Sequence, residues 1–245
     1  MNNALTIARR ELLGYFATPI AYVFLVIFLS LLGWFTFYWG TGFFELGQAD
    51  LRGFFGYHPI LYVVLIPALT MRLWAEERRG GTIELLMTLP ITTAEAVVGK
   101  FLAAWAFTGV ALLLTLPMWW TVNHLGDPDN GVIFTSYLGS FLMAGGYLAV
   151  GGAISACTKN QVIAFVLAVV ACLGLLMAGF PMVTQLLAES PLAFLGEAIA
   201  SIGFLTHFDS ISRGVIDLPA LLFFLSLIAL MLFLNKLALD RLAAS

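Results

Sequence analysis

Charge is what this sequence lacks most: 10% of its 245 residues are Asp, Glu, Lys or Arg, against 61% hydrophobic. Soluble domains carry about a quarter charged residues, so an ordinary water-soluble fold is excluded. Cysteine is scarce as well. Cys157 and Cys172 fall in or at the edge of apolar runs, which excludes a disulfide framework and points to small packing residues. The histidines, His58, His124 and His207, sit in three separate segments, too dispersed for a metal constellation, and each is expected to face solvent. A phosphate-cradling loop is also missing. It needs Gly, four residues, then Gly-Lys-Ser/Thr; Gly99-Lys100 is followed by Phe101, with Ala94 in the first glycine's place. ATP-driven work would therefore need a partner, and no cofactor or metal is expected in the chain itself. The net charge of −3 is too small to argue for an acidic or basic partner, and nucleic acid is not expected.

What is present is apolar helix. Charge-free stretches run over 12–44, 53–71, 101–126, 130–158, 160–188 and 218–235. A hydrocarbon core about 30 Å thick needs roughly 20 residues at 1.5 Å each, so six transmembrane helices are expected. Their spans are Ile20–Trp39, Pro59–Leu73, Lys100–Val122, Val132–Cys157, Val162–Val183 and Leu218–Lys236. The fold class is an all-α polytopic membrane protein, read as one domain over 1–245.

Lys and Arg orient it. With a cytoplasmic N-terminus, Arg9, Arg10, Arg72, Arg78, Arg79, Lys100, Lys159, Lys236 and Arg241 fall inside, and only Arg52 and Arg213 outside. Both termini are then cytoplasmic, and a multi-pass protein of the bacterial inner membrane is expected. The first apolar run is too long for a signal h-region, so no cleavage is expected.

The opening ALTIARRELLGYFATP repeats Leu5, Ala8, Leu12 and Phe16 at helical spacing, interrupted by Arg9, Arg10 and Glu11. Arginines within a span are costly, so residues 1–18 read as an interfacial helix ended by Pro19. Pro67, Pro117 and Pro181 are expected to kink helices two, three and five. Gly145, Ala149, Gly152 and Ala156 place small residues on one face of helix four, which permits close helix contact. The external segment 184–217 is apolar but interrupted, and a re-entrant or interfacial hairpin fits it.

One stretch concentrates charge. MRLWAEERRGGTIELLMTLPIT, Met71 to Thr92, holds six of the charged residues. Trp74 and Arg72 suit the membrane boundary; Glu76, Glu77, Arg78 and Arg79 continue into water, and Gly80-Gly81 breaks the turn. Thr82 then N-caps a short helix, with Glu84 in its first turn. Ile83, Leu86, Met87 and Pro90 recur at i, i+3, i+4 and i+7, and Thr92-x-x-Glu95 forms a capping box for helix three. An exposed apolar face between charges wants a partner or the membrane surface.

RLWAEERRGGTIELLMTLPI followed by TTAEAVVGKF, with RRELLGYFATPIAYVF upstream and HFDSISRGVID downstream, resembles the permease subunits of ABC type-2 transporters. The likeness is greatest to the branch that includes the gliding-motility permease. The resemblance implies two six-helix subunits, paired as homo- or heterodimer, each resting on a cytoplasmic ABC ATPase that carries ATP and Mg. An auxiliary membrane protein is a further candidate partner, and the bilayer is the surrounding medium. It implies an exporter, with a coupling loop at 74–92 that seats Thr82 through Leu89 in the ATPase. The residues it assigns to coupling are Glu76, Glu77, Arg78, Arg79, Gly81, Thr82, Ile83, Glu84, Leu86, Met87 and Pro90. Arg9, Arg10 and Glu11 mark the interfacial helix. Outward re-entrant helices match Pro191 to His207, and the motif before helix six contributes His207, Asp209, Ser212, Arg213, Gly214 and Asp217.

Two other readings stand beside it. Glu76-Glu77 invites an intramembrane hydrolase, in which paired carboxylates activate water. Prenyl-protein proteases of that kind carry an Arg where this chain has Gly81, and a membrane-embedded histidine. A passive channel is expected to show a charged pore lining, which the spans lack.

Overall fold

A computed structural model describes residues 3–39, 43–45, 47–83, 90–188, 193–215 and 217–243, with backbone alone at 186–188, 193–195, 197 and 243. Helix is the only regular structure among the described residues. Six helical segments are long and apolar enough to cross a membrane: Pro19–Tyr38, His58–Gly80, Thr93–Leu125, Asn130–Cys157, Gln161–Ala178 and Leu218–Leu242. This is an all-α, multi-pass membrane protein.

The chain begins with α1 (Asn3–Phe16) and α2 (Pro19–Tyr38). Pro19 separates them because it starts α2, where its missing N–H costs nothing. The short α3 (Arg52–Gly56) leads into α4 (His58–Thr70) and α5 (Ala75–Gly80). The third span is two helices, α6 (Thr93–Leu113) and α7 (Leu116–Leu125). Next come α8 (Asn130–Cys157) and α9 (Gln161–Ala178), then the short α10 (Pro181–Ala188), α11 (Ala193–Ser201) and α12 (Phe204–Ser212), and last α13 (Leu218–Ala243).

The prolines behave differently from expectation at two of three places. Pro67 does lie inside α4. Pro117 instead sits in the first turn of α7, and Pro181 opens α10 after α9 has ended. Both begin new helices, the position where a ring without an N–H is tolerated, so spans three and five are broken rather than kinked.

The bundle is organised around α8. Its central window is 78% buried and that of α4 72%, against 33%, 28% and 22% for α2, α9 and α13. So α4 and α8 form the interior, and the other three present apolar faces outward, as helices in lipid do. Glycine lets neighbours close on α8. A Cβ at Gly145 would lie 3.0 Å from Trp105 and from Ile228, and one at Gly146 would lie 3.1 Å from Phe204. At Gly151 it would collide with the Thr70 hydroxyl. The small-residue face read from sequence is therefore a contact surface, and it continues around the helix to Gly146 and Gly151.

α1 packs along α6. Its buried residues are Ala4 and Ile7, while Leu5 is 60% exposed. Leu12 and Phe16 of the expected Leu5–Ala8–Leu12–Phe16 stripe do pack against the core, but in the first turns Ala4 and Ile7 replace Leu5, because Gly99 of α6 provides the notch. A Cβ there would lie 2.8 Å from Ile7 Cβ and 2.9 Å from the Ala4 carbonyl oxygen. α12 lies against α8, α9 and α13, and α10 pairs with α11.

Candidate functional site

The charged segment begins where α4 breaks. Ser155 of α8 holds the break open: its hydroxyl accepts from the amides of Trp74 and Ala75 and donates to the Met71 carbonyl, each at 3.2 Å. A buried side chain therefore satisfies groups that an unbroken helix would have paired internally. α5 then ends on Gly81, whose φ of 70° is the left-handed conformation glycine adopts without a Cβ penalty. Glu76 and Glu77 occupy its first turn and Arg78 and Arg79 its last, the arrangement a helix dipole favours.

This segment is less hydrated than its composition suggests. Trp74, expected at the boundary, is 1% exposed. Lys100 of α6 is 4% exposed, and its Nζ lies 2.7 Å from Glu77 Oε1, 3.4 Å from Glu11 Oε2 and 5.2 Å from the centre of the Trp74 ring. One ammonium thus joins α1, the α4–α5 break and α6. A buried charge is tolerated only when paired, and here two carboxylates and an aromatic face pair it. Burial pushes the neighbouring Tyr15 hydroxyl above the ordinary tyrosine range, and Glu11 adds in the same direction.

The two glutamates face different partners. Arg72 Nε and Nη2 donate to Glu76 at 2.8 and 3.0 Å, a bidentate pair, while Glu77 takes Lys100. Each carboxylate neutralises its own cation, which is the opposite of a pair poised on one water. Arg78 donates to the Ala156 carbonyl at 2.6 Å, fixing α5 to the end of α8. Arg79 is exposed, as are Arg9 and Arg10; Arg10 ion-pairs with Glu11 at 3.0 Å. Thr82 and Ile83 are already helical, and the Thr82 hydroxyl donates to the Glu77 carbonyl at 3.4 Å, closing back on α5. Glu84, Leu86 and Met87 lie outside the described residues. Pro90 is exposed. Thr92 and Glu95 form the capping box that the sequence predicts.

At the opposite end the pre-helix-six motif gathers around the start of α8. His207 is half-buried, stacked on Phe223 with ring centres 3.9 Å apart, and its Nε2 is 2.8 Å from the Ser201 carbonyl. Ser212 donates to the Asp209 carbonyl, and Asp217 accepts from Ser210. Partial burial pushes the Asp209 carboxyl above the usual range, against the pull of Arg213. Gly214, at φ 92°, turns the chain against Val132, which a Cβ would meet at 2.8 Å.

His58 overturns its expected solvent-facing role. It is fully buried inside Phe28, Phe54 and Phe55, with Nδ1 2.7 Å from the Ser140 hydroxyl, which also meets the Tyr62 hydroxyl at 2.8 Å. The polar group closes the core between α4 and α8. His124 is exposed. Among the described residues no group of three or more His, Cys, Asp or Glu is placed to hold a metal ion.

Residues 44–239 match the family model described as ABC-2 family transporter protein. The chain belongs to that family. The match spans the second to the sixth membrane helix, including the α4–α5 break, Lys100 and the 84–89 segment. No curated protein matches the chain. Membership makes it a permease, a membrane component of an ABC transporter, and the ion pairs around α5 belong to a transport protein. Lys100 and Ser155 are the residues that sequence reasoning missed. A Lys that interrupts an otherwise apolar helix is itself the sequence sign of a buried partner.

Proposed function

We propose that this chain is the transmembrane subunit of an ATP-driven exporter of the bacterial inner membrane, working as one of two paired permeases on separate ABC ATPase subunits. The residues from Thr82 to Leu89 serve as the coupling segment that docks on the ATPase. Ile83, Leu86 and Met87 supply its apolar contact, and Glu76 through Arg79 form the charged collar that sets register. ATP and Mg bind the partner ATPase; the permease receives the motion that nucleotide drives.

The observation that carries this reading is the family match over 44–239 together with the Lys100 junction. A push on the coupling segment reaches Glu77 through the Thr82 hydroxyl, which donates to the Glu77 carbonyl. Lys100 links Glu77 to α6 and, through Glu11, to α1. α1 then moves with the third span as one body, held by the Gly99 notch. Arg78 carries the same displacement to the end of α8, the helix on which the interior is built. The positive-inside distribution of Lys and Arg supports a cytoplasmic position for this end.

The experiment is reconstitution of the purified permease with its ABC ATPase in vesicles. The reading expects a stable complex whose ATP hydrolysis changes when the permease is present. Failure of any ABC ATPase to associate, or cleavage of peptide or lipid by the chain alone, would overturn it.

A further inference from the structure

Both described ends of the coupling segment stand on one apolar cluster, separate from the main core. Its buried members are Leu73 and Trp74 at the α4–α5 break, Ala96 and Val97 of α6, Ala156 of α8 and Leu239 of α13. Ile83, before the segment, and Ile91, after it, both pack against this cluster. Leu239 is fully buried. It is also the largest side chain of the cluster that comes from outside residues 73–97.

α13 reaches this cluster because it is long. Its 26 residues extend about 39 Å at 1.5 Å each, against a hydrocarbon core about 30 Å thick. Asn235, buried against Gly152 of α8, lines one small cavity with Trp74 and Lys100. Leu239 is one turn further on, beyond the Lys100 ammonium. Leu232, Leu239 and Leu242 follow one helical stripe into the cluster, while Lys236 and Asp240 pair at 2.8 Å on a half-exposed stripe beside it. The Asp240 carboxylate also faces the Thr93 side chain at the start of α6. A span whose middle is turned to lipid is thus held at its end, directly under Ile83 and Ile91.

We propose that Leu239 is a positioning residue for coupling: the last turns of α13 hold Ile83 and Ile91 in register for the partner ATPase. The same contact gives the sixth span its own mechanical link to the coupling segment, beside the route through Lys100. What docks on the segment rests on the transport reading. The hold of Leu239 on the two isoleucines is a property of the permease alone.

The test is amide hydrogen exchange of the purified full chain, read by mass spectrometry, followed by binding of its ABC ATPase. Leu239→Ala opens a cavity under both ends and should raise exchange about tenfold at residues 75–83 and 91–97. Amides 139–150 of α8 should keep their rate. Leu239→Met conserves volume and should restore both ends. Leu239→Ala should also weaken association with the ATPase by about the same factor, because the docking-competent arrangement is populated less, and Leu239→Met should bind as the unaltered chain does. Unchanged exchange at the two ends overturns the proposal. A rise shared equally by α8 does so too, since it marks Leu239 as general packing. Local loosening with undiminished association overturns the role in coupling. An unaltered permease that no ABC ATPase binds would overturn the transport reading and the coupling role together, and the exchange result would still report the hold. Should Leu239→Ala fail to fold, Leu242→Ala, at the half-buried margin of the same cluster, replaces it. A local rise of about threefold is then expected, and no rise overturns the proposal.

Discussion

Lys100 of α6 places its ammonium 2.7 Å from a carboxylate oxygen of Glu77 in α5, in a position that leaves the lysine 4% exposed. The pair spans the only described link between the charged collar and the third membrane helix that carries formal charge on both sides. Removing one partner of a buried pair strands the other, a loss that exceeds the pair's own net worth.

Lys100→Met is therefore expected to lower stability by about 1–3 kcal/mol, less than a fully buried pair because Glu77 and Glu11 keep some contact with water. Lys100→Arg, which keeps the charge, should retain most of it. Apparent melting temperatures of the detergent-solubilised permease measure both. If Lys100 also carries motion, Lys100→Met should reduce the response of the ATPase to the permease without releasing the ATPase.

Gly99 and Gly174 make a contrasting pair. A Cβ at Gly99 would strike Ile7 and the Ala4 carbonyl, whereas one at Gly174 meets nothing within 4 Å. Gly99→Ala should push α1 off α6 and cost about 1–3 kcal/mol. Gly174→Ala should be neutral or stabilising by up to about 1 kcal/mol, as helix propensity dictates. Thermal unfolding of the two variants side by side, with protease sensitivity of α1 as the local readout, checks the difference.

Ser140 serves His58 and Tyr62 at once. Ser140→Ala leaves two buried polar groups without a partner, an expected loss of about 1–3 kcal/mol for each. Ser226, exposed and bonded only to the Phe223 carbonyl of its own helix, is the control, and Ser226→Ala should change stability by less than about 0.5 kcal/mol. Unfolding midpoints of the two alanine variants decide the point.

How much of this was legible follows from which forces act locally. Six spans were readable because hydrophobic length is a property of consecutive residues, and Thr92–Glu95 because a capping box closes within one turn. The first turns of α1 were not, since Gly99, ninety-two residues after Ile7, decides which side of them fits. His58 was misread for the same reason. A histidine near a helix start looks like surface polarity until the fold brings Ser140 of α8 against its ring. Charge balance around α5 was half legible: the sequence shows Arg72 four residues before Glu76, but not that Lys100 reaches back to Glu77.

The central claim is that the segment after Gly81 receives work from an ABC ATPase. Its most direct measurement is the amount of ATPase that co-purifies with the permease when Leu86 is changed to Asp. A charge in the apolar contact should abolish association while membrane insertion and permease yield stay unchanged, and Lys100→Met should leave association intact. An unchanged amount of ATPase bound to Leu86→Asp would contradict the account.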